Sequence, residues 1–164
     1  MRFQFPGFTL AFVASAALCF YSSVMLWRRR NNPGSSAFAL TLLSLSVWSF
    51  ASIFEAGALT AENKIFWSKW QYFGITTISP LWFIFSAQFT GREKILTRPV
   101  RYLIWVIPVI TLALANTNEL HGLIWKGVEV VDEGFYLGIY DHNIGFISIL
   151  GTAMSCFSSG RSGW

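Results

Sequence analysis

The charged residues of this chain gather, with one exception, outside its apolar runs. No charge falls between Phe3 and Trp27, and then Arg28, Arg29 and Arg30 arrive together. The pattern recurs along the chain, with basic and acidic breaks taking turns. An apolar helix of about 20 residues is long enough to cross a bilayer core of roughly 30 Å, and Lys/Arg-rich loops stay on the cytoplasmic side. One feature therefore gives both a class and a direction. The expected fold is all-α, a polytopic membrane helix bundle with four complete spans and part of a fifth.

Composition agrees. Charged residues make up 12% of the chain, half of the about 25% usual in soluble domains. A net charge of +4 raises the question of nucleic acid, but the basic residues cluster at the ends of runs instead of on one polar face. No nucleic-acid partner is expected; the partner is the lipid bilayer. Cys19 and Cys156 both sit inside apolar runs, where they read as small packing residues and not as a disulfide or zinc framework. Ala14-Ser15-Ala16 resembles a signal-peptide cleavage site, yet the strong positive cluster follows the run instead of preceding it, which favours a retained anchor. A lipid attachment at Cys19 is disfavoured by the bulky Leu18 before it.

The spans are expected at about 8–27, 37–59, 70–90 and 100–116, with a partial fifth at 144–157 and a disordered tail at 158–164; residues 1–157 form one membrane module. In the first span Ala11, Ser15, Cys19 and Ser22 or Ser23 form a small-residue stripe that would let another helix approach closely in lipid. Asn31-Asn32-Pro33-Gly34 is a turn signal. The second span carries one ionisable residue, Glu55, on a face with Trp48 and Ser52. Thr60–Lys69 is a break. The third span has Pro80 near its middle, where a kink is expected, with Thr76, Thr77 and Ser79 close enough to help satisfy the freed carbonyl. Pro108 is central to the short fourth span. In the long break Thr117–Asn143, Val128–Val131 and Phe135–Tyr140 around Asp132-Glu133-Gly134 read as a short β-hairpin, while Leu123–Trp125 could equally continue an interfacial helix.

Charge sets the orientation. The breaks at 28–36 and 91–101 hold seven Lys/Arg and one acid, and those at 60–69 and 117–143 hold three Lys/Arg and six acids. With the N-terminus outside, every break lies on the side that its charge prefers. Trp67, Trp70, Trp125 and Tyr72 then fall near the outer interface, where an aromatic belt is expected.

Chemical signatures are sparse. There is no phosphate-cradling Gly-rich loop, no nucleophile elbow and no paired-His metal spacing, so no enzyme activity, cofactor or metal is expected. The acids of the outer loop match no calcium loop. Glu55 stands out because ionisable groups within spans are costly and usually face a bundle interior or a wet cavity, although near the outer interface a carboxylate can also simply reach water. Trp48 and Trp82 are explained equally well by packing.

Taken in order, Trp48…Glu55, Trp67, Tyr72-Phe73-Gly74, Pro80-Leu81-Trp82, Phe89-Thr90-Gly91-Arg92, Ile107-Pro108 and Thr117–Trp125 resemble the N-terminal seven-helix sensor region of bacterial histidine kinases. The matching positions are Trp48, Glu55, Tyr72, Gly74, Pro80, Trp82, Gly91, Asn118, His121 and Trp125. The resemblance implies a multi-pass input module of the bacterial cytoplasmic membrane, N-terminus outside and Arg28–Arg30 cytoplasmic. It further implies a dimer, and coupling to cytoplasmic PAS and kinase domains in a two-component system. The candidate signal-sensing residues are Glu55, Trp48, Pro80, Trp82 and His121, with the signal itself undefined. The chain ends in its fifth apolar run without a phospho-acceptor helix or ATP-binding domain, and its Ser/Gly-rich ending reads as that of a truncated, frameshifted or fragmentary product. Two other readings are open: a stand-alone assembly or interaction protein using the small-residue stripe, and a transporter, for which Glu55 alone supplies an ionisable group within a complete span.

Overall fold

A computed structural model describes residues 3–122, 125–132 and 136–142. Helix α1 spans Thr9–Trp27, α2 Ser35–Gly57, α3 Ala61–Phe89, α4 Arg98–Asn116 and the short α5 Asn118–His121, with a 3₁₀ turn at Glu93–Ile95 between α3 and α4. Strands β1 (Trp125–Asp132) and β2 (Tyr136–His142) pair antiparallel, Val128 opposite Tyr140 and Asp132 opposite Tyr136. The described residues are thus mainly helical. The fifth run at 144–157, the tail at 158–164 and residues 133–135 lie outside them.

Consecutive helices pack side by side, α1 on α2, α2 on α3 and α3 on α4, so α2 and α3 form the centre. Among the described residues, three helices are long and apolar enough to cross a membrane: α1, α2 and α4. At 1.5 Å per residue their 19, 23 and 19 residues extend about 28–35 Å, which matches the hydrocarbon core. Burial follows the same logic. Large apolar side chains such as Leu10 (72% exposed), Leu103 (67%) and Val109 (59%) point away from the bundle, whereas most of its buried residues are Ala, Ser and Thr. In lipid, small residues at helix contacts let the backbones close in, and apolar residues serve as the outer surface.

The α1–α2 contact is held by reciprocal hydrogen bonds. Ser23 Oγ donates to the Ala39 carbonyl at 2.7 Å, Ser46 Oγ donates to the Ala16 carbonyl at 2.9 Å, and the Ser15 and Ser49 hydroxyls lie 3.2 Å apart. The contact face runs through Thr9, Ala16 and Ser23, with Ser15 and Cys19 at its margin and Ala11 exposed. The predicted stripe is therefore rotated slightly.

Helix α3 differs from expectation at its start. It begins at Ala61, so the break expected at Thr60–Lys69 is helical except for its first residue. Ala, Glu and Lys are good helix formers, and no Gly or Pro interrupts residues 61–73. The helix also continues through Pro80 without ending. Two of the three hydroxyls expected to serve the freed carbonyl act elsewhere: Thr76 donates to Tyr72 O at 2.7 Å, and the Thr77 hydroxyl lies 2.9–3.0 Å from Phe73 O, Gly74 O and the Ser44 hydroxyl. At its far end α3 closes in a Schellman motif, with Arg92 N–H on Ala87 O, Gly91 N–H on Gln88 O and Gly91 at φ +69°. That left-handed position suits glycine.

Candidate functional site

The two central helices come into close contact at Gly74. A Cβ placed there would lie 2.8 Å from Trp48 Cβ, 2.9 Å from Ser44 O and 2.9 Å from Trp48 N. Two of those three are main-chain atoms of α2, so the fit depends on the absence of a side chain. Trp48 is thereby anchored at the α2–α3 crossing while the residue remains 38% exposed.

One helical direction leads from this crossing to Glu55, seven residues and about 10 Å along α2. There Lys64, in the part of α3 that precedes the expected Trp70–Thr90 span, reaches across. Its Nζ donates to the Glu55 main-chain carbonyl at 3.0 Å and lies 3.9 Å from Glu55 Oε1. The Lys64 side chain is 1% exposed and that of Glu55 20%. The carbonyl of Glu55, in the last turn of α2, also accepts the Ala58 N–H at 3.2 Å, so Lys64 adds a second bond to the end of α2 as well as pairing with its carboxylate. Burial pushes the Lys64 ammonium below its ordinary value of 10.5, and the Glu55 carboxylate partly offsets this. Aromatic rings cluster along the same stretch of the two helices: Phe54 stacks on Trp67 at 4.4 Å, with Phe50 at 5.0 Å from Phe54. Phe3 and Phe5 lie against Phe54 from the N-terminal segment, which Gln4 N–H fastens to Gly57 O at 2.8 Å.

The other direction leads to Trp82, which sits 6.2 Å from Phe38 and 5.3 Å from Phe85, near the Arg28–Gly34 turn. Pro80 is buried in α3. His121, on α5, has Nε2 3.0 Å from the Thr117 hydroxyl. The predicted candidates are thus strung along the bundle: Glu55 at one end, Trp48 at the crossing, Pro80 and Trp82 toward the other end, and His121 after α4. Only Trp48 and Glu55 share a helix face, as their spacing implied. Among the described residues, no group of three or more His, Cys, Asp or Glu could hold a metal ion.

Lys64 falls in the stretch Thr60–Lys69 expected to be a break, and the structure places it buried on α3 instead. A signal was available: Lys64 and Ser68, four residues apart, share a helix face, as do Gly74, Thr77 and Leu81, and all five are buried on α3. Lys69 likewise lies on α3, and its Nζ meets Glu119 Oε1 of α5 at 2.7 Å, which ties the early part of α3 to the far end of α4.

A family model, the N-terminal 7TM region of histidine kinase, matches residues 11–161. The chain belongs to this family. With its apolar helices, membership makes it a membrane protein, and the whole path from Glu55 through Trp48 to Trp82 falls inside the matched region. Comparison with curated proteins and with solved structures returned no match.

Proposed function

We propose that this chain is the signal-sensing input module of a two-component system, and that it acts by changing the α2–α3 contact in response to a signal at the Glu55–Lys64 end. The observation that carries the proposal is the coincidence of family membership over residues 11–161 with a buried charged clasp and a glycine-dependent crossing on the same two helices. A buried ion pair is a poor stabiliser for its cost but a sensitive one, because disturbing either partner leaves a charge uncompensated.

In this reading α3 is the fourth complete span. Its 29 residues extend about 43 Å, so the part from Trp70 onward suffices to cross and the charged first turns project beyond the core. The Arg28–Arg30 end faces the cytoplasm of a bacterium, the N-terminus lies outside and the Glu55–Lys64 clasp is at the outer surface. The module works as a dimer and feeds a kinase output, with phosphoryl transfer assigned to that output and not to these residues; Trp48, Pro80, Trp82 and His121 remain the further candidates for sensing. The internal use of Ser15 and Ser23 against α2 favours a sensor over a stand-alone assembly protein, whose docking stripe they would have formed.

The test joins the full chain at its C-terminus to the cytoplasmic half of a histidine kinase. Autophosphorylation that differs from that of the same kinase on an inert multi-pass anchor, and that responds to Gly74→Leu, is expected. Output indistinguishable from the inert anchor would overturn the proposal. Reporter fusions after Arg30 and within 117–143 check the direction, with cytoplasmic signal expected from the first alone.

A further inference from the structure

The basic end of the bundle reverses the usual rule for helix termini. Acidic side chains normally occupy the first turn of a helix, where they complement its partial positive charge. At the opposite end α3 and α5 follow it, with Glu62 and Glu119 in their first turns, while α1 starts without an acid. At the basic end α2 and α4 both start with no acidic residue in the first turn and no side-chain cap. Instead, α4 opens with Arg98 and Arg101. The two starts are on one side of the molecule: a Cβ on Gly34, which precedes α2, would lie 3.5 Å from the Phe85 carbonyl oxygen in the last turns of α3, and the α3–α4 connection follows directly.

Arg28–Arg30, Arg92, Lys94, Arg98 and Arg101 are all exposed on these connections, and Glu93 is the single acid among them. Around them exposed rings and apolar groups stand at the level where a bundle meets headgroups: Trp27 (45% exposed), Phe89 (73%), Ile95 (49%) and Tyr102 (77%). Two uncapped helix starts, seven cations and one anion produce a concentrated positive field. Amphipathic rings beside it mark a membrane interface. Phosphate is the anion that main-chain N–H groups at helix starts and guanidinium groups both recognise.

We infer that this end of the bundle binds the phosphate headgroups of anionic lipids, as a surface spanning the α1–α2 turn and the α3–α4 connection. Lipid and not free phosphate is the occupant favoured by the aromatic rim, which a soluble anion would not use.

The test uses the full chain in a non-ionic detergent, titrated with short-chain phosphatidylglycerol, short-chain phosphatidylcholine or inorganic phosphate, with bound lipid read by native mass spectrometry. Preferential binding of phosphatidylglycerol that weakens with salt is expected. Each basic residue removed should weaken it about fivefold, so R28Q/R29Q/R30Q and K94Q/R98Q/R101Q should each lose about a hundredfold. K126Q, which follows the far end of α4, should change nothing. The charge-preserving R28K/R29K/R30K should bind nearly as the parent does, which separates lost charge from lost folding. Equal binding of the two lipids, or indifference to both triple Gln variants, would overturn the inference. So would displacement of phosphatidylglycerol by millimolar inorganic phosphate, which would mark a free-anion site.

Discussion

Replacing Glu55 by Gln keeps the shape of the α2–α3 clasp and removes its negative charge. The ammonium of Lys64 then lies 1% exposed, with the Glu55 main-chain carbonyl still 3.0 Å away but no carboxylate at 3.9 Å. Two unit charges at that separation interact by about 4 kcal/mol at an effective dielectric of about 20. Because Glu55 is partly exposed and the main-chain bond survives, the expected loss is about 2–3 kcal/mol, at the lower edge of what breaking a buried pair costs. The double variant Glu55→Gln/Lys64→Met removes the orphaned charge too and should recover most of that loss, since a buried pair replaced by neutral groups of similar volume is often neutral. The pH dependence follows from linkage. Lys64 is shifted below 10.5 in the folded protein, so between its folded value and 10.5 the unfolded chain holds the extra proton, and stability rises with pH across that window. Glu55→Gln should lower the folded value further and widen the window; Lys64→Met should abolish this contribution. Equilibrium unfolding in mixed detergent–SDS micelles, followed by far-UV circular dichroism, measures all three. A Glu55→Gln loss below about 0.5 kcal/mol, or a double variant no better than the single, would refute the reasoning.

Other elements of the fold give sharper or weaker responses. Gly74→Ala forces a Cβ to within 2.9 Å of Ser44 O and Trp48 N and should cost about 1–3 kcal/mol in the same unfolding assay, with cysteine cross-links between α2 and α3 losing yield. Ser23→Ala and Ser46→Ala each delete one α1–α2 hydrogen bond, so about 0.6 kcal/mol apiece is expected, and their effects should add to that of Gly74→Ala because they act on the other face of α2. Glu119→Gln breaks the Lys69 pair, whose carboxylate side chain is 69% exposed; a loss under about 1 kcal/mol that vanishes in high salt is expected.

Much of this architecture is written locally. Apolar run length and the placement of Arg28–Arg30 suffice to locate α1 and α2 to within about two residues, because a bilayer imposes length and leaves charges only at the ends. Glu55 is legible for the same reason: a carboxylate in such a run is conspicuous. Its partner is not, because Lys64 stands among polar neighbours in Ala61–Lys69 that read as a solvated break until the helix is seen to begin at Ala61. Whether a lysine at the edge of a span is buried depends on what crosses it, and that is a tertiary fact. The role of Gly74 is hidden likewise, since the approach of Ser44 and Trp48 comes from a helix about 30 residues earlier in sequence. Thr77 shows a finer limit. Its proximity to Pro80 suggested service to a freed carbonyl, but its hydroxyl proton goes instead toward Ser44 across the interface and toward carbonyls one turn back.

The claim that the Glu55–Lys64 clasp at one end speaks to an output at the other is tested most directly in the chain–kinase fusion, by measuring autophosphorylation of the parent, Glu55→Gln and Glu55→Gln/Lys64→Met at matched membrane levels. A severalfold change is expected for Glu55→Gln, with output restored toward that of the parent in the double variant. Identical phosphorylation in all three, with each protein folded in the membrane, would contradict it.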